Sequence, residues 1–243
     1  MRLARRLILA AFGLLLLAAA ALLALAELSD RPQDLPWTDL DLRQPPGWFT
    51  RSKLVALQHD YPRCQHLLRV IDAGFAPVAA IRPAEHCGYA DGGRLALGGT
   101  SRAGFAPNAP ILACPLAAAV AVWERDVVQR AALAHLGRRV ARIEHLGSYN
   151  CRRLYGQKTG MWSEHASANA LDVAAFRLAD GTRISLLDDW KGEGGKAEFL
   201  REVRDGGCRI FATTLSPDYN AAHRNHLHLD MGEWGRFGFR FCK

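Results

Sequence analysis

The stretch Asn169-Ala170-Leu171-Asp172-Val173-Ala174-Ala175-Phe176-Arg177-Leu178 reads as a strand, and it carries a single carboxylate, Asp172, inside an apolar run. Arg139 to Tyr149, Arg209 to Leu215 and His226 to Met231 read the same way, with a helix over Lys196 to Arg204 between the second and third of the four strands. Helices and strands do not alternate strictly. The expected fold is therefore α+β, with a mainly antiparallel central sheet that carries the candidate metal site and is flanked by helices.

Upstream of these strands, Pro115 stands at a helix-start position. Leu116, Val120, Trp123, Val127, Ala131 and Leu133 then recur on one side up to Gly137, so this segment is expected to be the main core helix. Residues 75 to 113 are rich in Gly and Pro and read as brief strands and loops. Before them, Thr50 is placed to cap a helix over Arg51 to His59, and a second helix is expected from Pro62 to Ala73, ending at Gly74. Asp30 to Gly47 holds Pro32, Pro36, Pro45 and Pro46 and reads as an extended linker, with Trp37 and Trp48 suggesting that its latter part docks.

The N-terminus begins with Arg2, Arg5 and Arg6, followed by an uncharged run from Leu7 to Ala26. Length favours an uncleaved transmembrane anchor over a signal peptide cut near Ala24-Leu25-Ala26. Flanking charge places residues 1–6 in the cytoplasm and the remainder across the inner membrane, in the periplasm. The expected organisation is a basic stub (1–6), an anchor (7–26), a linker (27–47) and one domain (48–243). Six cysteines agree with export, because an even number without any Cys-x-x-Cys pair reads as disulfides. Fifteen pairings are open, and the local one is preferred: Cys64 with Cys87, Cys114 with Cys151, Cys208 with Cys242.

The net charge of +7 falls only to +6 beyond the first thirty residues. A cationic exported domain suits an anionic wall or membrane surface, and the scattered basic residues speak against nucleic acid. The chain is expected to act as a monomer.

Chemistry concentrates in two places. His165 and Asp172 lie seven positions apart, and three of the nine histidines, His223, His226 and His228, fall within six residues. Two imidazoles and a carboxylate form the ligand set of a catalytic zinc site, which leaves a fourth position for water. On a strand His226 and His228 point to the same face, so one can bind metal while the other does chemistry beside it.

Ser163-x-His165, Ala170-x-Asp172 and His226-x-His228 resemble the motifs of the zinc peptidases grouped around lysostaphin, the D-alanyl-D-alanine peptidases and the hedgehog signalling domain. Ala168 stands where glycine is usual. Pro36 to Cys242 resembles more specifically the extensin-like C-terminal domain of bacterial proteins, through Gly147-Ser148-Tyr149-Asn150-Cys151-Arg152, Ser163-Glu164-His165 and Pro217 to Asp230.

The resemblance implies Zn2+ held by His165, Asp172 and His228, with His226 close to the bound water. D-alanyl-D-alanine peptidases carry a glutamate three residues before the last histidine ligand, where this chain has Asn225. Penicillin-insensitive murein endopeptidases place a histidine five residues before it, where this chain has His223. His223 and His226 are therefore assigned jointly to proton transfer and to stabilising the intermediate. Arg152 resembles the arginine of a Ser-x-Tyr-Arg block that would bind a carboxylate or oxyanion. Asp230 is a candidate acceptor behind the ligands, whereas Glu233 reads as solvated.

The expected function is that of a membrane-anchored zinc peptidase cutting peptidoglycan peptides at a stem or cross-link bond involving a D-amino acid. The alternative is a non-catalytic, metal-containing wall-binding module. A serine hydrolase built on Ser163 is disfavoured because no Gly-x-Ser-x-Gly elbow surrounds it.

Overall fold

The computed structural model describes residues 2–97, 103–232 and 241–243. Helix α1 spans Arg2–Ser29, α2 Thr50–Ala56 and α3 Tyr61–Val70. Six short strands follow: β1 Phe75–Pro77, β2 Ile81–Ala84, β3 Cys87–Tyr89, β4 Gly92–Leu95, β5 Gly104–Ala106 and β6 Ile111–Ala113. Next come α4 Cys114–Trp123, α5 Gln129–Leu136, β7 Val140–Gly147, β8 Ala170–Leu178, β9 Arg183–Ser185, α6 Leu186–Asp189 and α7 Gly195–Ile210. Strands β10 Thr213–Leu215, β11 Leu227–Asp230 and β12 Phe241–Cys242 complete the order.

The fold is α+β with several sheets. The largest runs in the order β12-β10-β11-β8-β7-β5, with β9 also paired to β8. Its centre is antiparallel, and parallel pairs occur only at the edges, β5 on β7 and β12 on β10.

Every residue of α4 is buried, because alanines and branched residues cover its whole circumference and it runs through the core. Trp123 closes it, packing on Phe176 and Phe211 with ring centroids 6.0 and 5.9 Å away and donating its indole N–H to the Val203 carbonyl at 3.1 Å. A π turn over Glu124–Val128 joins α4 to α5, and Gly137 ends α5 in the left-handed conformation at φ 64°. The Gln129 amide bonds both backbone groups of Val140, fixing where β7 begins.

Several boundaries differ from the sequence expectation. Arg209 and Ile210 belong to α7 because Phe199, Leu200, Val203, Gly207 and Ile210 recur with helical spacing and are buried together, so the strand starts only at Thr213. Thr50 lies inside α2 and accepts a bond from the Gly47 N–H instead of capping, whereas Asp60 caps α3. The linker docks through Leu40 and Leu42, through Asp34 accepting from the Trp48 N–H, and through Arg125 donating to the Leu42 and Gln44 carbonyls. Trp37 and Trp48 stay outside, 77% and 86% exposed.

The expected transmembrane helix over 7–26 is also corrected. The segment is helical, but among the described residues no helix is long and apolar enough to cross a membrane. The side chains of Ala24 and Leu25, in the alternative cleavage motif, lie outside those described.

The disulfides join Cys64 to Cys114, Cys87 to Cys151 and Cys208 to Cys242, so only the third pair is the local one expected. Proximity along the chain misleads here because α3 packs on α4, carrying Cys64 to Cys114, and β3 lies beside the turn at Glu164–Ser167, near the chain that holds Cys151.

The feature that positions the site is a bulge in β8. Phe176 and Leu178 face the core, and strict alternation would send Ala174 and Asp172 there too. Opposite β7, however, Glu144 pairs with Ala175 and His145 with Val173, which leaves Ala174 as an extra residue. Parity therefore switches: Leu171 and Val173 join the core, and Asp172 turns to the other face.

Two outcomes test this frame. Trp123→Ala should lose about 3–5 kcal/mol of unfolding free energy in denaturant titration, whereas Trp48→Ala should change little. Glu144 links three strands by bonding Arg177 of β8 at 2.9 Å and Arg183 of β9 at 2.8 Å. Burial pushes its carboxyl up, but the two guanidiniums outweigh that and hold it below its ordinary value. Its stabilisation is thus present above the unfolded pKa and lost as pH falls through the folded one. Glu144→Gln should cost under about 1 kcal/mol at pH 7, and the cost should shrink in thermal melts as the pH is taken down through and below the ordinary carboxylate range.

Candidate metal centre

Strand β11 reads Leu227-His228-Leu229-Asp230. Its leucines are fully buried in the core, so His228 and Asp230 share the opposite face. The antiparallel register sets His228 directly opposite Asp172 of β8. His165 arrives from a different element, the 3-10 turn Glu164–Ser167, whose start is capped by the Ser163 hydroxyl accepting from the His165 N–H at 3.3 Å.

Ligand atoms of three residues then converge, Asp172 presenting one oxygen to each imidazole. His228 Nδ1 lies 3.0 Å from Asp172 Oδ1, while His165 Nε2 lies 3.2 Å from Asp172 Oδ2 and 3.2 Å from His228 Nδ1. Ligands bound at roughly 2.0–2.1 Å to a tetrahedral ion sit about 3.3 Å apart, so this triangle has the size of one face of such a site. Among the described residues, His165, Asp172 and His228 are the group able to hold a metal ion.

The outward-facing nitrogens explain why the inner ones point together. His165 donates its Nδ1–H to the Ser148 carbonyl at 2.5 Å, and His228 donates its Nε2–H to Asp230 at 3.0 Å. Each bond fixes ring orientation and leaves the other nitrogen for a ligand. Ser148 follows Gly147, whose φ of 132° is a left-handed-side conformation open to glycine, and which pairs with Asp172 where β7 departs from regular register. Asp230 is 2% exposed and also accepts from the Gly232 N–H at 2.9 Å.

The electrostatics are those of a tightly buried pair of charges. Burial lowers the His228 imidazole, but its hydrogen bonds to Asp172 and Asp230 outweigh that and push the group up to about 9 in the metal-free protein. Burial raises Asp172, yet His165 and His228 hold it well below the usual carboxylate range.

His226 and His223 flank this triangle. His226 Nε2 lies 3.5 Å from Asp172 Oδ1, with Nδ1–H donated to the Asn225 side chain at 2.9 Å. His223 ends a 3-10 turn capped by Asn220, whose Oδ1 accepts from the His223 ring at 2.8 Å. Its ring centroid is 5.2 Å from that of His226 and 6.0 Å from that of His228. Burial lowers both, and neighbouring imidazoles push in the same direction, bringing His223 to about 4. Both rings are therefore neutral at pH 7.

Arg152 lies close enough for its charge to depress His223 and His226, and its buried Nε makes no hydrogen bond among the described residues. Arg153 does something else: it stacks on Trp162 at 4.4 Å and bonds the Gly160 carbonyl. Five of the six residues expected from the sequence, His165, Asp172, His223, His226 and His228, thus meet in one place, and the charge of Arg152 reaches two of them.

Asp230 serves as an acceptor behind His228, and Glu233 lies outside the described residues. The sequence reading missed Asn220 and Asn225 as the groups that orient two histidines. Their positions three before His223 and one before His226 were the available signal, since a short amide commonly bonds a neighbour this close.

Residues 62–243 match the family described as the extensin-like protein C-terminus. The match covers well over half of the chain, which belongs to that family. Neither a curated protein nor a solved structure matches the chain.

The outer bond to Asp230 should matter for metal affinity without touching the ion. Asp230→Asn is expected to weaken zinc binding by about 10- to 100-fold in competition with a chromogenic chelator. Asn225→Ala should leave that affinity within about threefold, because His226 is outside the ligand triangle.

Proposed function

We propose that this extensin-like C-terminal domain is a zinc-dependent peptidase that cleaves peptide bonds of peptidoglycan, at a stem or cross-link position involving a D-amino acid. The observation that carries the reading is the open triangle of His165, Asp172 and His228, with two neutral histidines and one arginine gathered beside it. A closed structural site commonly takes four protein ligands; three with an adjacent proton acceptor fit catalysis better. The motifs shared with the lysostaphin and D-alanyl-D-alanine peptidase group supply the substrate class. Three disulfides support an oxidising, extracytoplasmic location.

Zinc held by these three groups supplies a water whose pKa is lowered to roughly 7 and a Lewis acid for the peptide carbonyl. The chain's own residues handle the protons. His226 is tied through Nδ1 to Asn225 and presents Nε2 beside Asp172, free to accept a proton at neutral pH. His223, held in the same way by Asn220, is neutral as well. Neither ring starts as an acid, so the proton delivered to the leaving amine is one that this pair gained when water attacked. Arg152 beside the two histidines supplies a guanidinium suited to the substrate carboxylate or the developing oxyanion. Asn225 replaces the glutamate of the D-alanyl peptidases in position only; its role passes to the histidine it orients.

Purified sacculi incubated with the zinc-loaded chain should release peptide fragments identifiable by mass spectrometry, and chelation should stop the release. His228→Ala should lose both zinc and hydrolysis. His226→Ala should keep about one zinc while the rate falls about 10²- to 10⁴-fold. Full activity without metal refutes the peptidase reading. Absence of products with any metal, combined with sacculus binding that survives His226→Ala, points instead to a wall-binding module.

A further inference from the structure

Beside the turn that carries His165 lies a second feature, a cleft whose lining includes none of the three metal-ligand candidates. The cleft, of about 440 Å³, is lined by Tyr61, Asp91, Glu164 and Asn169, with Ala113 and Pro115 among its apolar walls. Gln58, His59 and Ser167 complete the wall, and among the described lining residues none is lysine or arginine, in a chain of net charge +7.

Two carboxylates together do not make a site, but Asn169 adds a separate observation. Its side chain is 6% exposed, Nδ2 donates to Glu164 at 2.7 Å, and Oδ1 is buried with no hydrogen-bond partner among the described residues. A buried amide oxygen in that condition calls for a donor from a ligand. The Asp91 carboxylate acts on the phenol of Tyr61, which places those two groups together. Burial pushes the Asp91 carboxyl up, as expected where a carboxylate has been withdrawn from water.

We propose that this cleft binds the primary ammonium group of a peptide substrate, through Asp91, Glu164 and Asn169 Oδ1. An ammonium carries three N–H donors and no acceptor, matching the two carboxylates and the unpaired amide oxygen in this wall. The volume lies within the range of small-ligand sites and far exceeds one ion, and Ala113 and Pro115 suit an alkyl stem. Glu164 immediately precedes His165, so an amine held here sets the position of a peptide bond at the metal centre. This assignment of substrate class rests on the peptidase reading above.

The test is isothermal titration of the full zinc-loaded chain with Nα-acetyl-lysinamide and with its norleucine counterpart, which lacks only the ammonium. The lysine probe should bind at least about ten-fold tighter, the scale of a hydrogen bond to a charged group. Asp91→Asn should bring the two probes to within about threefold, and Asn169→Ala should narrow the gap as well. Zinc content measured in the same samples reports that the neighbouring centre is intact. Equal affinity for the two probes in the unaltered chain overturns the proposal, as does a preference that survives in both variants. Calcium displacing the lysine probe while binding more tightly overturns it in favour of a metal site. Sacculus digestion is read separately: an inactive chain that keeps the lysine preference upholds the cleft and removes the peptidase reading.

Discussion

The pairing of β8 with β11, which sets Asp172 opposite His228, is the constraint on which everything else rests. A strand slipped by one residue turns all its side chains to the wrong face, so the register must be enforced by burial. Leu171 and Val173 on one strand and Leu227 and Leu229 on the other are fully buried and do this. The bulge at Ala174 is equally necessary, because without it the core positions Phe176 and Leu178 would draw Asp172 inward. One extra residue thus places a carboxylate on the chemical face without giving up the hydrophobic one.

Around that pair, the four imidazoles are each held by the nitrogen that faces away from the centre or along its rim. Ser148 holds His165, Asp230 holds His228, Asn225 holds His226 and Asn220 holds His223. The choice of partner divides their chemistry. Carboxylates on both sides of His228 give it high basicity, suited to a metal ligand. Neutral amides behind His226 and His223 add no charge, so burial dominates and both stay neutral and ready to accept a proton. The Arg152 charge contributes to the same outcome.

Much of this was legible in the sequence where a residue pattern has one physical meaning. The apolar positions from Leu116 to Ala131 announce a helix on the core, although Leu133, expected on the same side, is exposed, and the leucines alternating with His228 and Asp230 announce a strand with one chemical face. Other features depend on contacts that no local pattern encodes. The bulge at Ala174 is visible only once β7 is laid beside β8, and the Cys64–Cys114 and Cys87–Cys151 pairings depend on α3 meeting α4 and β3 meeting the His165 turn. The strand expected from Arg209 lost its first residues to α7, where burial of Ile210 with Phe199 and Val203 overrides local propensity. The apolar N-terminal run forms helix α1, yet among the described residues no helix is long and apolar enough to cross a membrane. Asn220 and Asn225 were passed over because an amide has no chemistry of its own until its partner is known.

The ligands that a bound metal takes decide the chemistry proposed for this site. Zinc K-edge absorption spectroscopy of the loaded chain should show two imidazole nitrogens and oxygen donors at about 2.0–2.1 Å, with one oxygen exchangeable for an added anion. His226→Ala should leave that spectrum unchanged, and His228→Ala should remove an imidazole. A shell of three or four imidazoles, with no exchangeable position, would contradict the open centre and the chemistry assigned to it.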